Sequence, residues 1–136
     1  YLYFVKKMWL FLLALGFAIQ PKLKPVSMSF ARHQLQEWYD ETDDDEFAVR
    51  YLTSLNKYRV EETDTLKAMS ILKENQVCGM LLIELVSEKH VVIHNLEAKD
   101  FNSGSELIHA LARNKNITFS TDLDSRWHIA LQFFRS

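Results

Sequence analysis

His90-Val91-Val92-Ile93-His94-Asn95-Leu96-Glu97-Ala98-Lys99-Asp100-Phe101-Asn102-Ser103-Gly104-Ser105 is the stretch on which the fold turns. Its first half is β-branched and apolar, the composition of a strand. Its second half is small and polar and opens onto a helical pattern from Glu106 to Arg113. A strand that feeds a short loop at a helix N-terminus aims several backbone N–H groups at one spot, and the helix dipole adds to them. The junction is therefore a candidate site for phosphate or another anion.

Upstream, Val77 to Val86 is almost continuously apolar, which predicts a strand covered on both faces. Lys73-Glu74-Asn75-Gln76 reads as a polar turn joining it to a strand at Thr65–Leu72, and Ser87-Glu88-Lys89 turns the chain into Val91–Ala98. Three strands on short turns make an antiparallel meander. Before them, Leu23–Met28 reads as an edge strand that tolerates Pro25. A helix follows at Ser29–Tyr39, with Ala31, Leu35 and Trp38 on one face. A second runs from about Glu46 to Tyr58, with the stripe Phe47, Tyr51, Leu55 and Tyr58. The acidic run Asp40 to Glu46 lacks the alternating ligands and central glycine of a calcium loop and suits the N-terminus of that helix. Downstream, a helix at Ser105–Arg113 leads to a strand at Ile117–Leu123, parallel to its neighbour because a helix connects them. Asp124 or Ser125 then caps a last helix bearing Trp127, Ala130, Leu131 and Phe134. The fold class is α+β, with a mixed, largely antiparallel sheet and flanking helices.

The 136 residues, 48% of them apolar, suit one core in one domain. A net charge of −2 without a Lys/Arg block argues against a nucleic-acid binder. The single cysteine, Cys78, excludes an internal disulfide framework and a cysteine-based zinc site. His90 and His94, about 13 Å apart along an extended strand, do not share one metal ion. Residues 1–20 form an apolar leader, with Lys6 and Lys7 ahead of Met8–Ile19. As a helix this run reaches roughly 18 Å, short of a bilayer core of about 30 Å. It has three readings: a signal or membrane anchor touching lipid through residues 8–19, a helix covered by core or partner, or an upstream translation artefact. The domain proper is 21–136.

The element order strand, two helices, three-strand meander, helix, strand, helix resembles the GNAT N-acetyltransferase superfamily (the acyl-CoA N-acyltransferase fold) over residues 22 to 136. Val77-Cys78-Gly79-Met80-Leu81-Leu82-Ile83 looks like the family strand with a glycine after a hairpin turn. Leu96-Glu97-Ala98 sits where its strand enters the cofactor loop. Gly104-Ser105-Glu106-Leu107-Ile108 is similar to the end of its pyrophosphate motif, and Trp127 to Phe134 to its final helix. On that resemblance the domain is incomplete, ending before the family's last two strands.

The resemblance implies acyl transfer from acetyl-CoA to a small-molecule or peptide amine. It implies cofactor contacts from Leu96, Ala98, Lys99, Asn102, Ser103, Gly104 and Ser105, Glu97 as first candidate base, Glu84 as second, and a cytoplasmic location. The loop positions Lys99 to Gly104 keep one standard glycine and add Asp100, while Phe134 stands where the family often has a tyrosine acid. Those departures favour one alternative, an inactive ligand- or partner-binding module of the same fold; the segment from Lys6 to Ile19 motivates another, an anchored or exported α+β domain.

Overall fold

The computed structural model describes residues 22–87, 89–112 and 114–135; the leader at 1–20 lies outside them. The chain is α+β, with five strands in the order β1-β2-β3-β4-β5. β1 (Lys22–Val26), β2 (Leu66–Lys73), β3 (Gln76–Ser87) and β4 (His90–Ala98) pair antiparallel in sequence. β5 (Ile117–Phe119) lies parallel to β4. The helices are α1 (Met28–Glu41), α2 (Asp45–Lys57), α3 (Phe101–Ala112) and α4 (Ser125–Arg135). Among the described residues no helix is long and apolar enough to cross a membrane.

Three of the boundaries that differ from expectation do so because a side chain caps a helix. β1 stops at Val26, not Met28, because Ser27 turns its hydroxyl to the Phe30 N–H at 2.9 Å. β5 stops at Phe119, not Leu123, because Ser120 to Leu123 fold into a turn that delivers Asp124 to the head of α4. α3 starts at Phe101, not Ser105, because the Asp100 carboxylate accepts the Ser103 N–H at 2.7 Å. The acidic run acts in the same way: Asp44 caps α2 through the Glu46 and Phe47 N–H groups.

The β3 strand is buried through its middle because each face meets its own helix pair. Met80 and Leu82, with Ala68 of β2, pack under α1 and α2 against Leu35, Trp38, Tyr51 and Tyr58. Leu81, Ile83 and Leu85 face α3 and α4 with Met69 and Ile71. The β2–β3 hairpin turns on Glu74 and Asn75, both left-handed at φ 54° and 63°, the primed geometry that matches strand twist.

A bulge in β4 positions everything that follows. Leu82 pairs with Asn95 and Ile83 with Ile93, so His94 is the extra residue. Ahead of it Val91 and Ile93 enter the α3/α4 core. Beyond it Leu96 keeps that side, while Asn95 and Glu97 turn towards α2. β5 pairs with β4 only up to Ile93, and the two chains part there.

Candidate functional site

The polar residues of α2 recur on the face that also carries Phe47: Arg50, Ser54, Lys57. Tyr51 and Tyr58 flank them. This face lies against the end of β4 past the bulge. The Tyr58 hydroxyl donates to Asn95 Oδ1 at 2.9 Å, and Asn95 Nδ2 donates to Ser54 Oγ at 3.1 Å. Ser54 in turn donates to Glu97 Oε2 at 3.1 Å. The other carboxylate oxygen, Oε1, accepts from Arg50 Nη2 at 3.0 Å and from the Ala98 N–H at 3.2 Å. Tyr51 closes the row by donating to the carbonyls of Ala98 and Lys99.

Burial raises the Glu97 carboxyl above its ordinary value, while Arg50, the Ala98 N–H and Ser54 pull it back down. Burial also lifts both tyrosines, with the Glu97 charge adding to it, so each phenol stays a donor. Arg50 is held on three sides. Its guanidinium lies 4.4 Å from the Phe47 ring centroid and 4.8 Å from that of Trp127, and its Nε is 3.6 Å from Asp124 Oδ2. Asp124 also caps α4, so this one arginine ties α2, β4 and the β5–α4 turn together.

Where β4 and β5 part, a cavity of about 130 Å³ opens beside this network, lined by Arg50, Ser54, Lys57, Asn95, Glu97 and Asp122 among others. Lys57 spans its mouth, reaching the His94 carbonyl at 3.3 Å and the Asp122 carboxylate at 3.0 Å. The Ser120 hydroxyl and Lys57 hold the Asp122 carboxyl below its ordinary value.

No protein-family model, curated protein or solved structure matches the chain. Its chemistry is therefore read from geometry.

The two candidate bases are not brought together. Glu97 is 1% exposed, with both oxygens engaged. Glu84 lies opposite Val92, five residues and roughly 16 Å away along β4, half-exposed, with Oε1 2.7 Å from His94 Nε2. His90 bonds Thr118 instead. Among the described residues no three His, Cys, Asp or Glu side chains converge on a metal position.

The expected cofactor loop shrinks to Lys99 and Asp100. Leu96 and Ala98 are buried, and Lys99 is exposed, its N–H given to the Cys78 carbonyl at 3.0 Å. Asn102, Ser103, Gly104 and Ser105 all lie within the first turns of α3. Gly104 is buried directly under Trp127: a Cβ built there would meet the indole at 2.0 Å. Phe101 stacks on the same indole at 5.9 Å and 13°. The side chain of Phe134 lies outside the described residues.

Arg50, Ser54, Asn95, Asp124 and Trp127 were not singled out from sequence as site residues. Arg50 and Ser54 carried a signal, since they stand three and seven positions after Phe47, on the inward stripe.

Proposed function

We propose that this chain is a GNAT-like α+β module that binds a ligand or partner without catalysing acyl transfer. The observation that carries this reading is the head of α3. Its Ser103 N–H is given to Asp100, and its one standard glycine is covered by Trp127. An incoming pyrophosphate would have to displace a capping carboxylate and a fully buried indole. The Glu97 contacts support the same reading: the carboxylate borders the cavity, but Arg50, Ser54 and the Ala98 N–H already engage both of its oxygens. The element order and the parallel β4–β5 pair support the family resemblance itself.

Acyl transfer from acetyl-CoA is the second reading. What favours it is the parting of β4 and β5 beyond Ile93, which leaves a cavity beside Asn95 and Glu97. Calorimetry with acetyl-CoA, together with thiol release on an amine panel, separates the two. The non-catalytic reading expects no saturable heat and no turnover at millimolar acetyl-CoA. Amine-dependent release of free coenzyme A refutes it.

A further inference from the structure

A second concave surface among the described residues shares no lining residue with the cavity beside Glu97 and is separated from Arg50 by the Phe47 and Trp127 rings. It is a groove of about 590 Å³ between α3 and α4, within the range of small-ligand sites. Phe101 and Ser105 stand one turn apart on α3, while Arg126, Ile129, Ala130 and Phe133 recur at helical spacing on α4. Phe101, Ile129 and Phe133 are 44%, 68% and 74% exposed, so three of the large exposed apolar side chains meet on one surface.

The charge lies at one end, where α4 begins. Among the described residues the groove's lining has one ionisable side chain, Arg126, while Ser105 stands one turn along α3 from Phe101. The Arg126 guanidinium lies 5.8 Å from the Phe101 ring centroid and 5.6 Å from that of Phe47, and its ion-pair partner is the exposed Glu46. An exposed pair of this kind contributes little and exchanges readily for another carboxylate. From Arg126 to Phe133 the helix advances about 10 Å, the reach of a medium-length alkyl chain. A cationic ligand would meet the guanidinium's charge, and a neutral one would leave it paired with Glu46. An apolar body with one anionic end matches both parts.

We infer that the α3–α4 groove binds a medium-chain alkyl carboxylate, with its head on Arg126 beside Phe101 and its chain over Ile129, Ala130 and Phe133. This rests on the proposed ligand-binding function and names the ligand class. The carboxylate replaces Glu46 on the guanidinium, and the chain covers the exposed aromatic edges. No covalent step is involved.

The test is calorimetry on the full 136-residue chain with octanoate, 1-octanol and octylammonium, backed by intermolecular NOEs from the octanoate chain. Octanoate is expected to bind about two- to five-fold more tightly than either congener, the scale of one exposed ion pair. Its NOEs should fall on the Ile129 and Ala130 methyls. Arg126→Gln should remove the preference and Arg126→Lys should retain most of it. Ile129→Asp, at an exposed position, should remove binding of all three, and Val86→Asp on the far end of β3 should change nothing. Equal affinities, a preference for octylammonium, or no saturable binding would overturn the inference. So would a dimer dispersed by Ile129→Asp, which would put a second copy in the groove. Acyl transfer in the separate acetyl-CoA assay would refute the non-catalytic reading while leaving the octanoate result to stand or fall by itself.

Discussion

Gly104→Ala separates a packing glycine from a phosphate-loop glycine. The added Cβ would lie 2.0 Å from Trp127 Cη2, 2.5 Å from Cζ3 and 2.8 Å from Cζ2, all far inside contact distance. The indole has nowhere to retreat: it is 0% exposed, with Phe101 stacked on it and Arg50 packed against it. Overpacking of this kind costs about 1–3 kcal/mol, and so rigid a neighbour places it near the top of that range. Replacing glycine by alanine in a helix returns about 1 kcal/mol. The net expectation is a loss of about 2 kcal/mol from a total of about 5–15 kcal/mol. For a chain of this size that lowers Tm by about 7 °C. Urea unfolding followed by circular dichroism measures it. The decisive arm is a cycle with Trp127→Leu. That change alone should cost about 3 kcal/mol. In its background Gly104→Ala should become neutral or gain up to about 1 kcal/mol, a coupling of about 2–3 kcal/mol. If Gly104→Ala costs the same in both backgrounds, the indole does not sit on the glycine and the account of the α3–α4 contact fails.

Two further outcomes are expected. The raised Glu97 carboxyl means that the folded chain holds this proton more tightly than the unfolded chain does. Stability from this group is present below the ordinary value of 4.5 and is lost as pH rises through the folded value, and Glu97→Gln should abolish that decline. Asp122 acts oppositely, its contribution present above 3.8 and lost in acid, so urea midpoints against pH should be compared in an Asp122→Asn background. A difference profile that is flat, or that rises with pH, contradicts the burial argument. At the β2–β3 hairpin, Glu74 holds a left-handed conformation that costs a non-glycine residue about 1 kcal/mol. Glu74→Asn with Asn75→Gly, the pair preferred in this turn, should raise Tm by about 4 °C. A lower Tm would mean that the turn is not of the primed type.

Periodicity made most of the architecture legible, because the long elements bury one clear stripe each. Ala31, Leu35 and Trp38 of α1 are buried as their spacing requires, and β3 is covered on both sides as its unbroken apolar run requires. The head of α3 was not legible. Asp100, Asn102, Ser103 and Gly104 are weak helix formers, so local preference reads loop. Helix is favoured there by the Asp100 cap and by the contact of Phe101 and Gly104 with Trp127, twenty-odd residues downstream. The first is a local signal that the family resemblance outweighed. The second exists only in three dimensions.

The buried network was hidden for a different reason, which also explains how the chain buries Glu97 against Arg50 at all. Strict alternation from Val91 and Ile93 would send Asn95 and Glu97 into the α3/α4 hydrocarbon, where neither finds a partner among Leu107, Ile108 and Leu111. Inserting His94 as a bulge reverses the phase, so Leu96 takes the apolar side and the two polar residues meet Ser54, Tyr58 and Arg50. The same insertion ends β5 pairing at Ile93 and opens the cavity beside α2. Polar residues at inward positions of α2 therefore required inward polar residues on β4, and only a break in the strand's alternation could supply them. That break, more than any loop glycine, separates the two halves of β4 into a core strand and a candidate site.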